Sequence, residues 1–71
     1  MREVRFHRAL YRGESVDEAM KVYARFAKLT PVEEDDHWVV RVEGSSEAGE
    51  RRIADEMANY ALGLTIQRRT E

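Results

Sequence analysis

Apolar and polar residues alternate through Val4-Arg5-Phe6-His7, which sets Val4 and Phe6 on one side of an extended chain, the period of a half-buried strand. Arg8 interrupts the alternation, so the strand is expected to fray or bend before Leu10 and Tyr11, and Arg12-Gly13-Glu14 reads as a turn. The period then changes. Val16, Met20, Tyr23 and Phe26-Ala27 recur at spacings of three and four, one apolar stripe of a helix running from Val16 to about Lys28, with Lys21 and Arg25 on its polar side. Ser15 stands where the first turn leaves amides unpaired, and its hydroxyl is placed to cap them. Glu18, three residues on, completes a capping box, and Asp17 and Glu18 set negative charge against the positive end of the helix dipole.

Leu29-Thr30-Pro31-Val32-Glu33 contains the sole proline of the chain. A residue without an amide proton belongs on a sheet edge if this run is a strand. Glu34-Asp35-Asp36 is turn-like, and His37-Trp38-Val39-Val40-Arg41-Val42-Glu43 alternates again. Trp38, Val40 and Val42 line one side of that strand, and Val39, Arg41 and Glu43 the other, so the two runs form a hairpin. Gly44-Ser45-Ser46 offers serine caps to a second helix, along which Ile53, Met57, Tyr60, Ala61 and Leu64 make a second stripe. Gly63 could end that helix in a left-handed turn, but the stripe reaches Leu64, which favours a helix continuing to about Arg68.

The order is β-α-β-β-α, and the fold expected is α+β, a two-layer sandwich of a three-stranded sheet with two helices on one face, in a single domain spanning residues 1–71. The third strand falls between the other two and antiparallel to both. The helices then cover the face bearing Val4, Phe6, Trp38, Val40 and Val42. Trp38 and Phe26 are expected among the most buried side chains. The proline strand forms one edge and the first strand the other, with nothing in the chain evidently covering it. A homo-oligomer through the first strand is therefore an expectation, against which the charges of Arg5 and Arg8 weigh.

Composition sharpens this picture in two ways. Hydrophobic residues make up 42% and charged residues 37% of a chain of 71, so a thin core carries a surface almost wholly of ions. The chain has no cysteine, which removes disulfides and thiolate metal sites as a staple and leaves self-association as one source of extra stability open to so small a core. The net charge of −2 lacks the basic excess of a dedicated nucleic-acid binder, and no apolar run approaches the roughly 20 residues of a membrane span. The first residues lack the apolar stretch of a signal peptide, and the cytoplasm is the expected compartment.

Candidate chemistry is sparse. His7 and His37, with Asp35 and Asp36 beside the second, lack the converging spacing a metal needs, and no metal or other cofactor is expected. The carboxylates of Glu33, Glu34, Asp35 and Asp36 read as a solvated turn, where little desolvation is on offer to raise a pKa for acid–base work. No catalytic residue is assigned. Arg5, His7 and Arg41 alternate out of neighbouring strands onto the sheet face opposite the helices, with Val39 between them and Tyr11 as a candidate companion. That face is the candidate partner-binding surface: Arg5, His7, Val39 and Arg41. A basic sheet face is also how several RNA-binding domains work, so an RNA-contacting module using Arg5, His7 and Arg41 is the alternative, although Glu3 and Glu43 dilute its charge and make nucleic acid the weaker partner.

Phe6-His7-Arg8-Ala9-Leu10-Tyr11 leads into Ser15-Val16-Asp17-Glu18-Ala19, then an aromatic-bearing helix with Tyr23-Ala24-Arg25-Phe26, a Trp-Val-Val-Arg-Val strand, and a final helix with Asp55-Glu56-Met57-Ala58-Asn59-Tyr60-Ala61-Leu62. This succession resembles the D-type proteins of the His-Xaa-Ser system, small accessory proteins found beside radical-SAM maturases and a repeat-bearing peptide. The resemblance consists of packing positions, carries no catalytic motif, and departs from the family at Arg12-Gly13-Glu14, which looks like a small insertion. It implies a non-catalytic accessory or adaptor module for a protein or peptide partner. A small enzyme subunit that completes a site across an oligomer interface is a third reading, motivated by the two histidines and the acidic turn.

Overall fold

The segments of period two form strands and the two stripes form helices. The computed structural model describes residues 1–70, with side chains through Arg68. Strand β1 (Arg2–His7) is followed by helix α1 (Gly13–Tyr23), strands β2 (Lys28–Glu33) and β3 (His37–Glu43), and helix α2 (Glu47–Thr70). The sheet order is β1-β3-β2, with both pairings antiparallel. This is the expected α+β arrangement, with the hairpin's second strand at the centre and Pro31 on an edge. Val4 lies opposite Val40, Phe6 opposite Trp38 and Leu29 opposite Val42, so one pleated face is apolar from edge to edge. Phe6, Val40 and Val42 on that face meet Val16 and Ala19 of α1 and Ala54, Met57 and Ala61 of α2, all buried. Side chains the size of Phe6 and Met57 each contribute roughly 1.5–3 kcal/mol when fully withdrawn from water, so these few residues carry most of the core.

Helix α1 corrects several expectations. It starts at Gly13 instead of Val16, so Arg12-Gly13-Glu14 is a helix start and not a free turn. Arg12, extended at φ −83° and ψ 142°, occupies the cap position without a side-chain cap, and its carbonyl accepts from the amides of Ser15 (3.1 Å) and Val16 (3.2 Å). Ser15 therefore sits inside the first turn, fully buried, and caps nothing. Its hydroxyl accepts a 2.9 Å hydrogen bond from the Arg68 guanidinium near the end of α2. Glu18 lies 3.8 Å from the same guanidinium instead of reaching back to close a capping box. The early start depends on Gly13: a Cβ there would stand 3.1 Å from Cζ2 of Trp38, so the helix begins by resting its backbone on the indole.

The helix also ends early, at Tyr23. The Phe26 amide donates to the Tyr23 carbonyl (3.0 Å), a turn that swings the chain toward the start of β2 at Lys28. That turn takes Phe26 off the helical stripe and leaves it 59% exposed, which overturns its expected place in the core. Its ring leans on Tyr23 at 6.1 Å between centroids. Trp38 is half-buried where full burial was expected, because it lies at the end of the sheet. Its Nε1 donates to the Tyr11 carbonyl (3.4 Å), and the Arg8 guanidinium covers its ring at 3.8 Å. Tyr11 packs edge-on against Phe6 at 5.0 Å and so belongs to the core side, not to the open face of the sheet.

Helix α2 follows the expected course. Ser46 caps it by accepting the Gly49 amide on its hydroxyl (3.0 Å) and the Glu50 amide on its carbonyl (2.9 Å). The helix passes through Gly63 without a break, and buried Ala54, Met57, Ala61 and Thr65 mark the side turned to the sheet. Glu50 is a buried carboxylate, 6% exposed, that accepts from the Gly44 amide (2.9 Å) and lies 3.2 Å from the Met1 ammonium. The amide of Gly44 first, then the ammonium and Arg2, hold its pKa below the ordinary carboxylate value against the opposing effect of desolvation.

Candidate functional site

The ladder of β1 determines what its outer edge offers. The Arg8 amide donates to the Asp36 carbonyl (2.9 Å), and bonded and unbonded pairs alternate along an antiparallel ladder. Phe6, Val4 and Arg2 therefore turn their backbone groups toward β3, and Glu3, Arg5 and His7 turn theirs outward. On β2 the Glu34 amide donates to the His37 carbonyl (3.1 Å), which by the same alternation turns Leu29, Pro31 and Glu33 outward. Pro31 thus stands where its amide would have pointed to solvent. The β2 edge lacks a donor at its centre, whereas the β1 edge keeps all of its donors.

Arg5, His7, Val39 and Arg41 do share the sheet face opposite the helices, through the pairs Arg5↔Val39, Glu3↔Arg41 and His7↔His37. Both arginines are already matched there by carboxylates. Glu3 lies 3.5 Å from Arg5 and accepts from Nε of Arg41 at 3.1 Å, and Arg5 also bonds Glu34 beyond the central strand. To reach Glu34, the Arg5 side chain crosses β3 over Val39, which is only 2% exposed despite lying on the uncovered face. Val39 is therefore part of a small second apolar layer roofed by ions. His7 and His37 meet edge-on at 4.9 Å between ring centroids. The Ala9 amide donates to Nδ1 of His7 (3.1 Å), so that nitrogen is the unprotonated one. Among the described residues, no three His, Cys, Asp or Glu side chains are grouped so as to hold a metal ion. No helix among them is long and apolar enough to cross a membrane.

Two further features of the described surface are clefts. One, of about 270 Å³, opens between α1 and β2, with Val16 and Met20 on one wall, Pro31 on the other and Trp38 beneath. It exists because α2 takes the place over β1 and β3, leaving α1 to lean on α2 with the β2 side only partly covered. The second runs beside Phe26 and Ile53 between the end of α1 and the start of α2. Pattern reading found the residues of the open face, but it missed how completely Glu3 and Glu34 neutralise it. Those partners were visible only as a diluting charge and an acidic turn; the register brings them into contact. Searches of protein-family models, of curated proteins and of solved structures find no match to the chain.

Proposed function

We propose that this domain is a non-catalytic docking module that binds a protein or peptide partner by adding a strand to the outer edge of β1. The observation that carries the reading is the contrast between the two edges: Pro31 removes a donor from β2, while β1 keeps the outward amides of Glu3, Arg5 and His7 and the outward carbonyls of Glu3 and Arg5, the His7 carbonyl being taken by the Leu10 and Tyr11 amides (both 3.0 Å). An extended segment laid along β1 gains main-chain hydrogen bonds to the amides and carbonyls of Glu3 and Arg5 and to the amide of His7. Its side chains then alternate between the ion-covered face around Arg5, His7, Val39 and Arg41 and the helix side above Val4. Beside a maturation enzyme of the kind the family resemblance implies, such an edge would hold a peptide extended while another protein modifies it. The RNA reading draws less support, because the guanidiniums of Arg5 and Arg41 are engaged by Glu3 and Glu34 and the chain has no basic excess.

Arg5→Pro tests the reading. It deletes an outward donor and leaves the ladder to β3 whole, and the sheet already carries Pro31 at an outward-facing position of its other edge. Displayed random peptides are selected on the parent and then on the variant. Extended, β-prone sequences enriched on the parent and lost on a still-folded variant are expected. Equal enrichment on both would remove β1 as the docking edge, and a salt-sensitive shift of single-stranded RNA would move the function to the open face.

A further inference from the structure

We infer that the β1 edge is self-complementary and that its occupant is a second copy of this chain, paired antiparallel about a two-fold axis at Val4. This rests on the docking reading above and names the partner. In a two-fold antiparallel pair, only outward-facing residues can exchange main-chain bonds, here Glu3 and Arg5, with His7 offering its amide alone because its carbonyl is bonded to Leu10 and Tyr11. Few registers remain. An axis at Glu3 sets that carboxylate against itself and an axis at Arg5 opposes two guanidiniums, while an axis at Phe6 sets Arg5 against His7 and gives neither Glu3 nor Arg5 an opposite charge. Like charges directly opposite each other on a sheet are destabilising. The axis at Val4 is different, because it puts Glu3 of each copy opposite Arg5 of the other, twice by symmetry, and sets Val4 against Val4 on the helix side. The charges on this edge then act as a selector, rejecting neighbouring registers and admitting one.

The helix layer fits the same axis. Helix α2 runs in the direction of β1: the Met1 ammonium lies at Glu50 (3.2 Å), and the Arg12 amide donates to Thr65 Oγ1 (3.4 Å). Tyr60 meets Tyr23 at 6.0 Å, and Ile53 lines the cleft beside Phe26, so that flank of α2 faces α1. At 100° per residue the opposite flank carries the exposed charges of Arg51 and Asp55, then Ala58 and Leu62, with Ile66 further out, above the free edge of β1. Leu62 is 40% exposed and Ile66 53%. With strands about 4.8 Å apart and α2 seated between β1 and β3, a two-fold beside β1 brings the two α2 axes to about 10 Å, the ordinary packing distance of helices. One operation therefore pairs the strands, matches the charges and covers Leu62.

Sedimentation of the parent, Glu3→Arg, Arg5→Glu and an equimolar mixture of the two variants tests this, with circular dichroism melts confirming that each is folded. A dimeric parent, monomeric single variants and a dimer restored on mixing are expected, because the mixture sets an edge carrying only arginines against one carrying only glutamates. Leu62→Asp, which leaves the strand untouched, should weaken the parent dimer at least tenfold. A monomeric parent, or variants that dimerise as the parent does, would overturn self-pairing. The docking reading would then still stand if the selected peptides bind the parent and not Arg5→Pro, and would fall with it if they do not.

Discussion

Gly63 is the position where a single methyl group tests most of the architecture. It lies inside α2, is exposed, and a Cβ placed on it meets nothing within 4 Å. Alanine at an exposed helix interior is favoured over glycine by about 1 kcal/mol, mainly through the entropy of the unfolded chain. With no clash to set against it, Gly63→Ala should stabilise by nearly that full amount, which in a domain this size raises the melting temperature by roughly 4–8 °C. Gly13→Ala is the control. It also replaces a helical glycine, but its Cβ would stand 3.1 Å from the Trp38 ring, so the propensity gain is opposed by displacement of the indole. Thermal melts by circular dichroism should place the two variants on opposite sides of the parent, or Gly13→Ala at best level with it. A Gly63→Ala variant that melts with the parent would mean that α2 breaks at Gly63 in solution. Thr65 and Arg68 would then not be held where they meet Arg12 and Ser15.

Ser15→Ala should cost roughly 0.5–1.5 kcal/mol through the lost bond to Arg68, and a double-mutant cycle with Arg68→Ala should show coupling, which a simple capping role for Ser15 would not. Phe26→Ser should change stability by no more than about 0.5 kcal/mol in urea melts, as for other exposed sites, while Phe6→Ala should cost about 3–5 kcal/mol. Glu50 has a folded-state pKa below its unfolded value, so its contribution is present above the ordinary value of 4.5 and is lost as pH falls through the lower folded value. The melting-temperature gap between the parent and Glu50→Gln should therefore be constant near neutrality and close progressively in acid below that value. A gap that widens in acid would reverse the assigned sign.

The strands were legible because each needs only a period of two and a face, and residues such as Val4, Phe6, Val40 and Val42 supply both. Pro31 even located the sheet edge, since a missing amide has one place to go. The helix ends were less legible for opposite physical reasons. Ser46 caps α2 as its type and position imply, but Ser15 has the same local signature and a stronger claim elsewhere. A guanidinium from the far end of the chain reaches its hydroxyl, and the backbone of Arg12 begins the helix without side-chain help. Phe26 misled because spacing alone continues the stripe past Tyr23, whereas the chain must turn there to bring Lys28 beside Glu43. On the open face, the alternation of Arg5, His7 and Arg41 was readable, but the register that hands Arg41 to Glu3 and Arg5 to Glu34 was not.

That register changes what the uncovered face can be. A sheet face bearing Val39 and two arginines has the composition of a sticky patch or a basic one, and here it presents neither. Arg5 crosses to Glu34 and shields Val39, Arg41 turns to Glu3, and the exposed charges pair within the face. Individual surface pairs of this kind add little to stability, about 0–1 kcal/mol each, so their effect lies in what they deny to partners more than in what they give the fold. With β2 interrupted at its centre by Pro31 and the open face neutralised, the outward backbone groups of Glu3 and Arg5 are the longest unbroken polar capacity along the sheet's edges. Because Glu3 and Arg5 flank Val4 with opposite signs, a partner strand running antiparallel and carrying the same two charges satisfies them in a single register. A strand of one sign throughout would leave one of them opposed by a like charge. In the proposed pairing, selectivity at this edge would follow from two residues whose side chains face away from the core, on a strand whose burial is fixed by Phe6.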